Sequence, residues 1–250
     1  MIGVFITARL GSTRLSAKHL LEVKGKSFII WLIDRFRTKF HDKILKNELK
    51  IFITTSIKPE NKKFELILDN KQTKVFYGSD QNIPLRHLEC ASKNNIDYII
   101  SIDGDDILCS TEAAKLVLDK LINGSKMAQT FGLPLGMNVT GYSKNFLKES
   151  LNGKERMNLE TGWGKIFDKN QINTIKINKS VNIQKIRMTL DYDADADFFK
   201  KVISSMDVLN ASDDYLIENI LHNKWYKINS HLDKIYWANF NKMAMNEKNN

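Results

Sequence analysis

The 250-residue sequence is short of cysteine and has no long apolar run. Its two cysteines, Cys90 and Cys109, cannot make the disulfide framework of a small secreted protein, so we expect a reducing cytoplasmic environment. No segment approaches the roughly 20 apolar residues that span a bilayer. The short first apolar stretch is followed by arginine rather than by a small-residue cleavage site. The sequence therefore predicts neither a membrane partner nor a signal peptide.

Proline is also scarce, with three residues, and no stretch rich in proline, glycine or serine divides the chain. No internal repeat is apparent, and a hydrophobic content of 42% is enough to fill a sizeable core. We therefore expect one domain over residues 1–250, with a less regular extension around 133–185. That extension is a candidate region for acceptor binding or for contact between the subunits of a homodimer.

Charge of one sign is in excess, because the formal net charge is +9. The lysines are scattered among asparagine and isoleucine rather than gathered into a stripe, and no zinc-ligand spacing or RNA-binding signature is present. We expect small anionic substrates rather than nucleic acid. The five histidines and two cysteines occur without a recognisable nucleophilic triad.

Apolar residues alternate between strand-like and helix-like spacing, which predicts an α/β fold with right-handed crossovers between parallel strands in the first half. The predicted strands are Ile2–Ile6, Leu49–Thr54, Lys74–Tyr77, Tyr98–Ile102, Met127–Phe131, Val139–Tyr142, Ile172–Ile177 and Ile186–Leu190. The predicted helices are Phe28–Lys39, Lys63–Leu68, Ile83–Lys93, Thr111–Leu121, Lys144–Leu151, Ala194–Ser205 and Asp213–Asn223.

The first strand runs directly into a loop suited to binding phosphate. Small residues let backbone amides approach an anion, and three cations within ten positions can neutralise several phosphate oxygens. Ligands of open parallel sheets bind beyond the carboxyl ends of the strands, where this loop lies. An ordinary surface loop of a basic protein is the alternative. The residues concerned are Arg9, Gly11, Ser12, Thr13, Arg14 and Lys18.

Two further strand ends carry carboxylates. The motif SIDGDD at 101–106 places Asp103, Asp105 and Asp106 around a glycine, and such close like charges require a cation or solvent. Mg²⁺, held by one or two carboxylates and substrate phosphates, suits this pattern, although a turn capping the helix after Ser110 would also explain it. Asp191 directly follows a predicted strand, from where it can reach a metal held by Asp105.

Several motifs, in the same order, resemble the cytidylyltransferases that make CMP-activated acidic sugars, including the CMP-KDO synthetases and the spore-coat polysaccharide SpsF-like branch. The first is ARLGSTRLSAKHL followed by VKGKSFIIWLIDR, and the later ones are ITTS at 53–56, FYGSDQNIPLRH at 76–87, SIDGDD at 101–106, PLGMNVTGYS and RMTLDYDADADF. The resemblance extends to about residue 205. It implies a three-layer α/β/α mixed sheet of the nucleotide-diphospho-sugar transferase (Rossmann-like) type.

The resemblance also implies roles for individual residues. The triphosphate of CTP would be bound by Arg9, Gly11, Ser12, Arg14 and Lys18, and the nucleotide would be surrounded by Thr54, Thr55, Ser56 and Arg86. Mg²⁺ would be bound by Asp105 and Asp191, which with Arg14 and Lys18 form the catalytic set. The acceptor would contact Arg187, Glu160 and Trp163, the last two within the segment ETGWGK.

The expected reaction is transfer of CMP from CTP to an acidic sugar, KDO-, legionaminic- or pseudaminic-like, with release of pyrophosphate, as a step in surface polysaccharide biosynthesis. Two alternatives remain at this point. One is a glycosyltransferase that uses Asp103 and Asp105 as a metal motif, and the other is a non-catalytic nucleotide-binding subunit. The chain also departs from the family pattern, with Ser16 in place of a usual proline and Ala17 in place of a frequent glycine.

Overall fold

The computed structural model describes residues 1–12, 14–68, 72–179 and 181–246, so Thr13 lies outside the described residues. The strands are β1 (Ile2–Thr7), β2 (Glu22–Val23), β3 (Lys26–Ser27), β4 (Leu49–Ser56), β5 (Thr73–Gly78), β6 (Tyr98–Asp103), β7 (Met127–Phe131), β8 (Thr140–Ser143) and β9 (Ile172–Lys176). The helices are α1 (Phe28–Lys39), α2 (His41–Leu45), α3 (Lys63–Ile67), α4 (Ile83–Lys93), α5 (Thr111–Ile122), α6 (Lys144–Leu151), α7 (Asp193–Ser205), α8 (Asp213–His222) and α9 (Asp233–Asn246).

Seven strands form one mixed sheet in the order β5-β4-β1-β6-β8-β7-β9. The four strands β5, β4, β1 and β6 are parallel, whereas β8 runs antiparallel to both β6 and β7. Thr7 pairs in register with Thr54 on one side and with Asp103 on the other. The carboxyl ends of β4, β1 and β6 therefore meet at one edge of the sheet, where ligands of such sheets bind.

Helices cover both faces of the sheet, which confirms the three-layer α/β/α fold. Along β1, Val4 and Ile6 belong to a large apolar cluster with α1, α5 and α7, whereas Phe5 belongs to a second cluster with α4 and α6. Successive side chains of a strand point to opposite faces, so the two clusters lie on opposite sides of the sheet. The sheet edge between these layers is left open for a ligand.

The strand predicted at Ile186–Leu190 is wrong. This segment is buried and extended, but Arg187 makes only an isolated bridge with Leu135. Its amides bond to loops instead of a ladder, since Met188 donates to the Leu135 carbonyl at 2.8 Å and Leu190 to the Asp105 carbonyl at 2.9 Å. The apolar pattern of this segment reflects its burial, which a strand and a buried extended loop have in common.

The region 133–185 contains the strands β8 and β9 and the helix α6. In the stretch 152–171, between α6 and β9, the helical segments are short 3-10 turns. This stretch packs back on the start of α4, where the Asn82 side-chain amide donates to the carbonyls of Lys154, Glu155 and Met157. It thereby brings Glu160 and Trp163 to the open edge of the sheet. Among the described residues, no helix is both long and apolar enough to cross a membrane.

Candidate functional site

A cleft lies at the open edge of the sheet and has two chambers. The first chamber has a volume of about 640 Å³ and lies over the ends of β1 and β6. The second has a volume of about 500 Å³ and extends over β6, β8, β7 and β9. Most of the residues singled out from the sequence line the first chamber: Arg9, Gly11, Ser12, Arg14, Lys18, Arg86, Asp105, Glu160, Trp163 and Asp191.

Lys18 lies between the two predicted metal ligands. Its buried ammonium is 2.5 Å from an oxygen of Asp105 and 3.1 Å from an oxygen of Asp191. Burial disfavours the charge on Lys18, but the two carboxylates outweigh it and raise the pKa of Lys18 above its usual value. The structure thus brings together the loop after β1, the end of β6 and the segment before α7 around one cation.

Backbone contacts fix this convergence. The amide of Gly104 donates to the Thr7 carbonyl at 2.8 Å, and a Cβ at Gly104 would lie 2.8 Å from the Ala8 Cβ. Only glycine permits this close approach of the acidic turn to the loop after β1. On the other side, the Asp105 carbonyl accepts the amide of Leu190, which places Asp191 beside Asp105.

Asp191 is almost fully buried and is surrounded by cations. Arg14 approaches one of its oxygens at 2.5 Å, and Arg187 approaches the other at 3.2 Å. Burial would favour the neutral acid, but the charges of Lys18, Arg14 and Arg187 hold the pKa of Asp191 below its usual value. Asp191 is therefore a preformed carboxylate.

Arg187 does not line either chamber, in contrast to its predicted contact with the acceptor. It is fully buried, bonds to Asp195 at 2.9 Å and to Asp191, and stacks on the Tyr236 ring at 4.5 Å. Asp195 in turn accepts the backbone amide of Asp191 at 3.0 Å. Arg187 thus positions Asp191 from behind.

The segment Thr54–Ser56 is buried and also lies outside the lining of both chambers. It acts on the first chamber indirectly, because Asn61 donates to the Ser56 hydroxyl at 3.0 Å and accepts the Leu10 amide at 2.9 Å. Ser56 thereby helps to hold the loop that carries Arg9. A nucleotide in the first chamber would therefore not be lined by this segment, in contrast to the predicted contact.

Arg9 and Arg86 line the first chamber close to Glu160. Arg9 is 2.5 Å from Glu160, and its side chain is 43% exposed. Arg86 donates to the carbonyls of Ser79 and Asp80, and burial lowers its pKa from the usual value. Arg9 therefore has the freedom to exchange its partner, whereas Arg86 is fixed.

Asp103 and Asp106 differ from Asp191 because, in the part of the chain that the structure describes, no Lys or Arg side chain forms an ion pair with them. Asp103 opens to the cleft, yet the surrounding protein wall and the charge of Asp105 raise its pKa to about 6. Burial and the neighbouring carboxylates also raise the pKa of Asp106 well above its usual value. A further cation bound at this end of β6 would reduce the repulsion among these carboxylates.

The pair Asp105 and Asp191 fits a divalent cation that also binds substrate phosphates. Both carboxylates already contact one positive atom, the Lys18 ammonium, and they are oxygen donors of the kind Mg²⁺ prefers. Within the described residues, no group of three or more His, Cys, Asp and Glu side chains is arranged to hold a metal. A cation bound here would therefore draw further ligands from substrate and water.

The second chamber shares Asp103, Asp106 and Trp163 with the first. Sequence reasoning missed several residues that line or support the two chambers, among them Thr7, His87, Ser101, Tyr142 and Tyr236. Trp163 packs edge-on against both His87 and Tyr142 with ring centroids 6.0 Å apart in each case. His87, a histidine among the buried residues of α4, is the sequence feature that could have pointed to this group, but it does not belong to a recognisable catalytic motif.

The chain is similar to known cytidylyltransferases. A family model described as "Cytidylyltransferase" matches residues 4–201. Uncharacterized protein MJ1063 from Methanocaldococcus jannaschii is 24% identical over 238 residues, which cover 93% of this chain and 95% of that protein. A cytidylyltransferase structure from Leptospira borgpetersenii has a TM-score of 0.75 and 22% identity, with 90% of this chain and 95% of that chain covered.

A CMP:2-keto-3-deoxy-manno-octonic acid synthetase solved with CTP has a TM-score of 0.57 and 14% identity, with 81% of this chain and 98% of that chain covered. The two solved structures agree in fold with the resemblance inferred from the motifs, and the family model favours a CTP-using enzyme over the glycosyltransferase and non-catalytic alternatives. The family model spans well over half of the sequence. The chain therefore belongs to the cytidylyltransferase family and is a CTP-using nucleotidyltransferase.

Proposed function

We propose that the chain transfers CMP from CTP to an acidic sugar, KDO-, legionaminic- or pseudaminic-like, and releases pyrophosphate as a step in surface polysaccharide biosynthesis. The observation that carries the proposal is the position of the Lys18 ammonium between Asp105 and Asp191, with Arg14 on the same carboxylate. Cations and preformed carboxylates converge there at the edge of the first chamber. That combination suits a metal-bound triphosphate rather than a simple anion.

The cations of the loop after β1 would bind the triphosphate by exchanging partners. Arg9 and Arg14 are partly exposed, with side-chain accessibilities of 43% and 32%, and each now contacts a carboxylate. Guanidinium groups bind phosphate oxygens in a bidentate manner, so the exchange keeps their charge compensated. Lys18 is only 5% exposed and would act as a fixed positive charge beneath the departing pyrophosphate.

Asp105 and Asp191 would hold Mg²⁺, which supplies charge neutralisation at the α-phosphate when it is bound. The lowered pKa of Asp191 keeps this ligand ionised near pH 7, so that it is ready to bind the cation. The remaining contribution of the protein is positioning, since the acceptor hydroxyl must approach the α-phosphorus opposite the pyrophosphate. Alignment of this kind can supply about 7–11 kcal/mol of a barrier in favourable systems.

The second chamber is the proposed acceptor site because it adjoins the first at Asp103 and Trp163. Lys165 and Lys169 lie at its exposed side, where they suit a carboxylate-bearing ligand. Trp163 lines both chambers, and Glu160, which belongs to the same segment, lines the first. An acidic sugar would thus be held between a basic side and the reacting phosphate.

The test is CTP-dependent pyrophosphate release measured with a panel of acidic sugars. We expect release with at least one acidic sugar, and Asp105→Asn should reduce kcat/KM at least about 100-fold. Asp197→Asn is the matched control, because Asp197 lies on α7 and its side chain is 68% exposed. Release with no acidic sugar on the panel, or equal rates in the two variants, would contradict the proposal.

A further inference from the structure

Four uncharged side chains connect the two chambers beneath Trp163. Thr7 lines the first chamber and Ser101 lines the second, whereas His87 and Tyr142 are fully buried between them. The His87 Nε2 atom is 2.8 Å from the Thr7 hydroxyl, and its Nδ1 atom is 2.6 Å from the Tyr142 hydroxyl. Tyr142 also bonds to the Ser101 side chain. We call these four side chains the relay.

The relay carries no charge. Burial and the nearby Arg86 guanidinium lower the pKa of His87 to about 3, so its imidazole is neutral near pH 7. A neutral imidazole has one nitrogen that donates and one that accepts. The choice of tautomer therefore sets the direction of every hydrogen bond along the relay.

Two directions satisfy all four groups through their shortest contacts, and the buried Thr54 hydroxyl, 3.3 Å from Nε2 and 3.4 Å from the Thr7 hydroxyl, can donate to the Thr7 oxygen in either one. In the first, Ser101 donates to Tyr142, Tyr142 donates to Nδ1 of His87, and the Nε2 hydrogen is donated to Thr7. In the second, every bond is reversed, so that Thr7 donates to His87 and Ser101 is free to donate outwards. In the first direction the hydroxyl hydrogen of Thr7 is not used by His87 and can be donated to a ligand in the first chamber, whereas Ser101 presents only its lone pairs to the second chamber.

The first chamber selects between these directions. Its other polar side chains include Arg9, Arg14 and Lys18, which are donors without acceptor atoms. A ligand that these cations bind is rich in acceptor atoms, as a triphosphate is, and it gains a further hydrogen bond only if Thr7 donates. Binding of such a ligand thus favours the direction in which Ser101 accepts.

We propose that nucleotide binding fixes the relay in the direction Ser101 to Tyr142 to His87 to Thr7, so that Ser101 selects an acceptor substrate that donates a hydroxyl group to it. This inference rests on the proposed function, because it takes CTP as the ligand of the first chamber. His87 is a positioning residue in this scheme, since it acts through Thr7 and Ser101. The two substrates are coupled through hydrogen-bond direction, without a change in charge or a large movement.

The direct test is nitrogen NMR of the protein labelled with ¹⁵N-histidine, with saturating CTP confirmed by equilibrium binding. In the CTP complex we expect His87 to be protonated at Nε2 and unprotonated at Nδ1 throughout pH 6–8. Protonation at Nδ1 in that complex would overturn the inference while leaving CTP use intact. Failure of the unmodified protein to bind CTP would instead overturn the proposed function and, with it, the role of the relay.

Tyr142→Phe keeps the ring that packs on Trp163 and Phe167 and removes the hydroxyl that bonds to Nδ1. We expect about fivefold weaker CTP binding and loss of the single His87 tautomer. Tyr98→Phe is the matched control, because Tyr98 begins the same strand as Ser101 and lies far from the cleft edge. CTP affinity equal in both variants would overturn the relay, and Thr7→Val, expected to weaken binding by a similar factor, provides a second variant.

Discussion

Two polar networks lie side by side at the carboxyl ends of β1 and β6, and they solve different physical problems. The charged network joins Lys18 with Asp105 and Asp191, whereas the relay through His87 and Tyr142 is neutral. The charged network is partly open to the cleft and suits the binding of an anionic ligand. The middle of the neutral network, His87 and Tyr142, is fully buried under Trp163, where an unpaired charge would be costly.

The difference shows how one sheet edge provides both charge and direction. Charges that exchange partners can neutralise a triphosphate, but they do not distinguish donors from acceptors over a distance. A chain of neutral hydrogen bonds has a defined direction and no net charge to screen. The comparison predicts that the two networks fail in different ways when they are disturbed.

The largest effect is expected from breaking the charged network at its buried support. Arg187→Met leaves Asp195, which is fully buried, without its cation, and we expect a loss of about 3–5 kcal/mol in the free energy of unfolding. Urea denaturation measures this loss. Arg156→Met is the matched control, because Arg156 is exposed and should change the free energy by less than about 0.5 kcal/mol. Equal losses would show that Arg187 does not support the network.

The neutral network should weaken as the pH falls. The folded state lowers the pKa of His87 from its ordinary value near 6.5 to about 3. Between pH 6.5 and pH 3, therefore, His87 takes up a proton in the unfolded chain and not in the folded one. The contribution of neutral His87 to the free energy of unfolding is complete above pH 6.5, and below that pH it falls by about 1.4 kcal/mol per pH unit. The charged network behaves differently, since the lowered pKa of Asp191 confines its loss to pH values below about 4.

Denaturation of the unmodified protein and of His87→Gln between pH 4.5 and 7.5 separates these windows. The difference between the two free energies should decrease as the pH falls, because glutamine does not titrate. His222→Gln serves as the control for the substitution itself, since His222 is exposed at the end of α8 and does not belong to the relay. Parallel pH curves for the protein and His87→Gln would show that burial does not keep His87 neutral.

Catalysis should depend on the cation that joins the two carboxylates. Lys18→Met removes the charge between Asp105 and Asp191, and we expect kcat/KM for CTP to fall at least about 100-fold in the pyrophosphate-release assay. Lys26→Met is the matched control, because Lys26 pairs with Asp34 and its side chain is 42% exposed. A rate within about threefold of that control would remove Lys18 from the catalytic set.

The charged network was largely predictable from the sequence, and the neutral network was not. Cations after a first strand and carboxylates after other strands meet by topology alone, because parallel strands end at one edge. The bounds of α1 and α4 were also predicted correctly, since apolar periodicity marks them. The relay residues His87, Tyr142 and Thr7 belong to three separate elements, α4, β8 and β1. Their spacing in the sequence does not indicate that they are in contact.

The wrong strand at Ile186–Leu190 and the indirect position of Thr54–Ser56 behind the first chamber have the same physical cause. Ile186–Leu190 has the composition of a strand, but its hydrogen bonds go to loops around Leu135 and Asp105. Thr54 and Ser56 end a strand at the right edge, yet their side chains face inward to His87 and Asn61. A sequence pattern shows that a segment is buried, whereas the identity of its partners is decided by tertiary contacts.

The smallest predicted effect concerns the backbone that leads into Lys18. Ala17 has φ 48° and ψ 30°, a left-handed conformation that costs an L-residue about 1–2 kcal/mol. Glycine adopts it freely but gains conformational entropy in the unfolded chain, so Ala17→Gly should raise the free energy of unfolding by about 0.5–1 kcal/mol. Ala114→Gly in the middle of α5 should have the opposite sign.

The same substitution tests whether the two networks are independent of each other. Ala17 precedes Lys18 and lies on the loop that carries the charged network, whereas none of the relay residues belongs to that loop. Ala17→Gly should therefore change the unfolding free energy and leave the His87 tautomer in the CTP complex as it is. If the tautomer changed as well, the loop and the relay would be one coupled unit, and the neutral network could not transmit direction independently of the charged one.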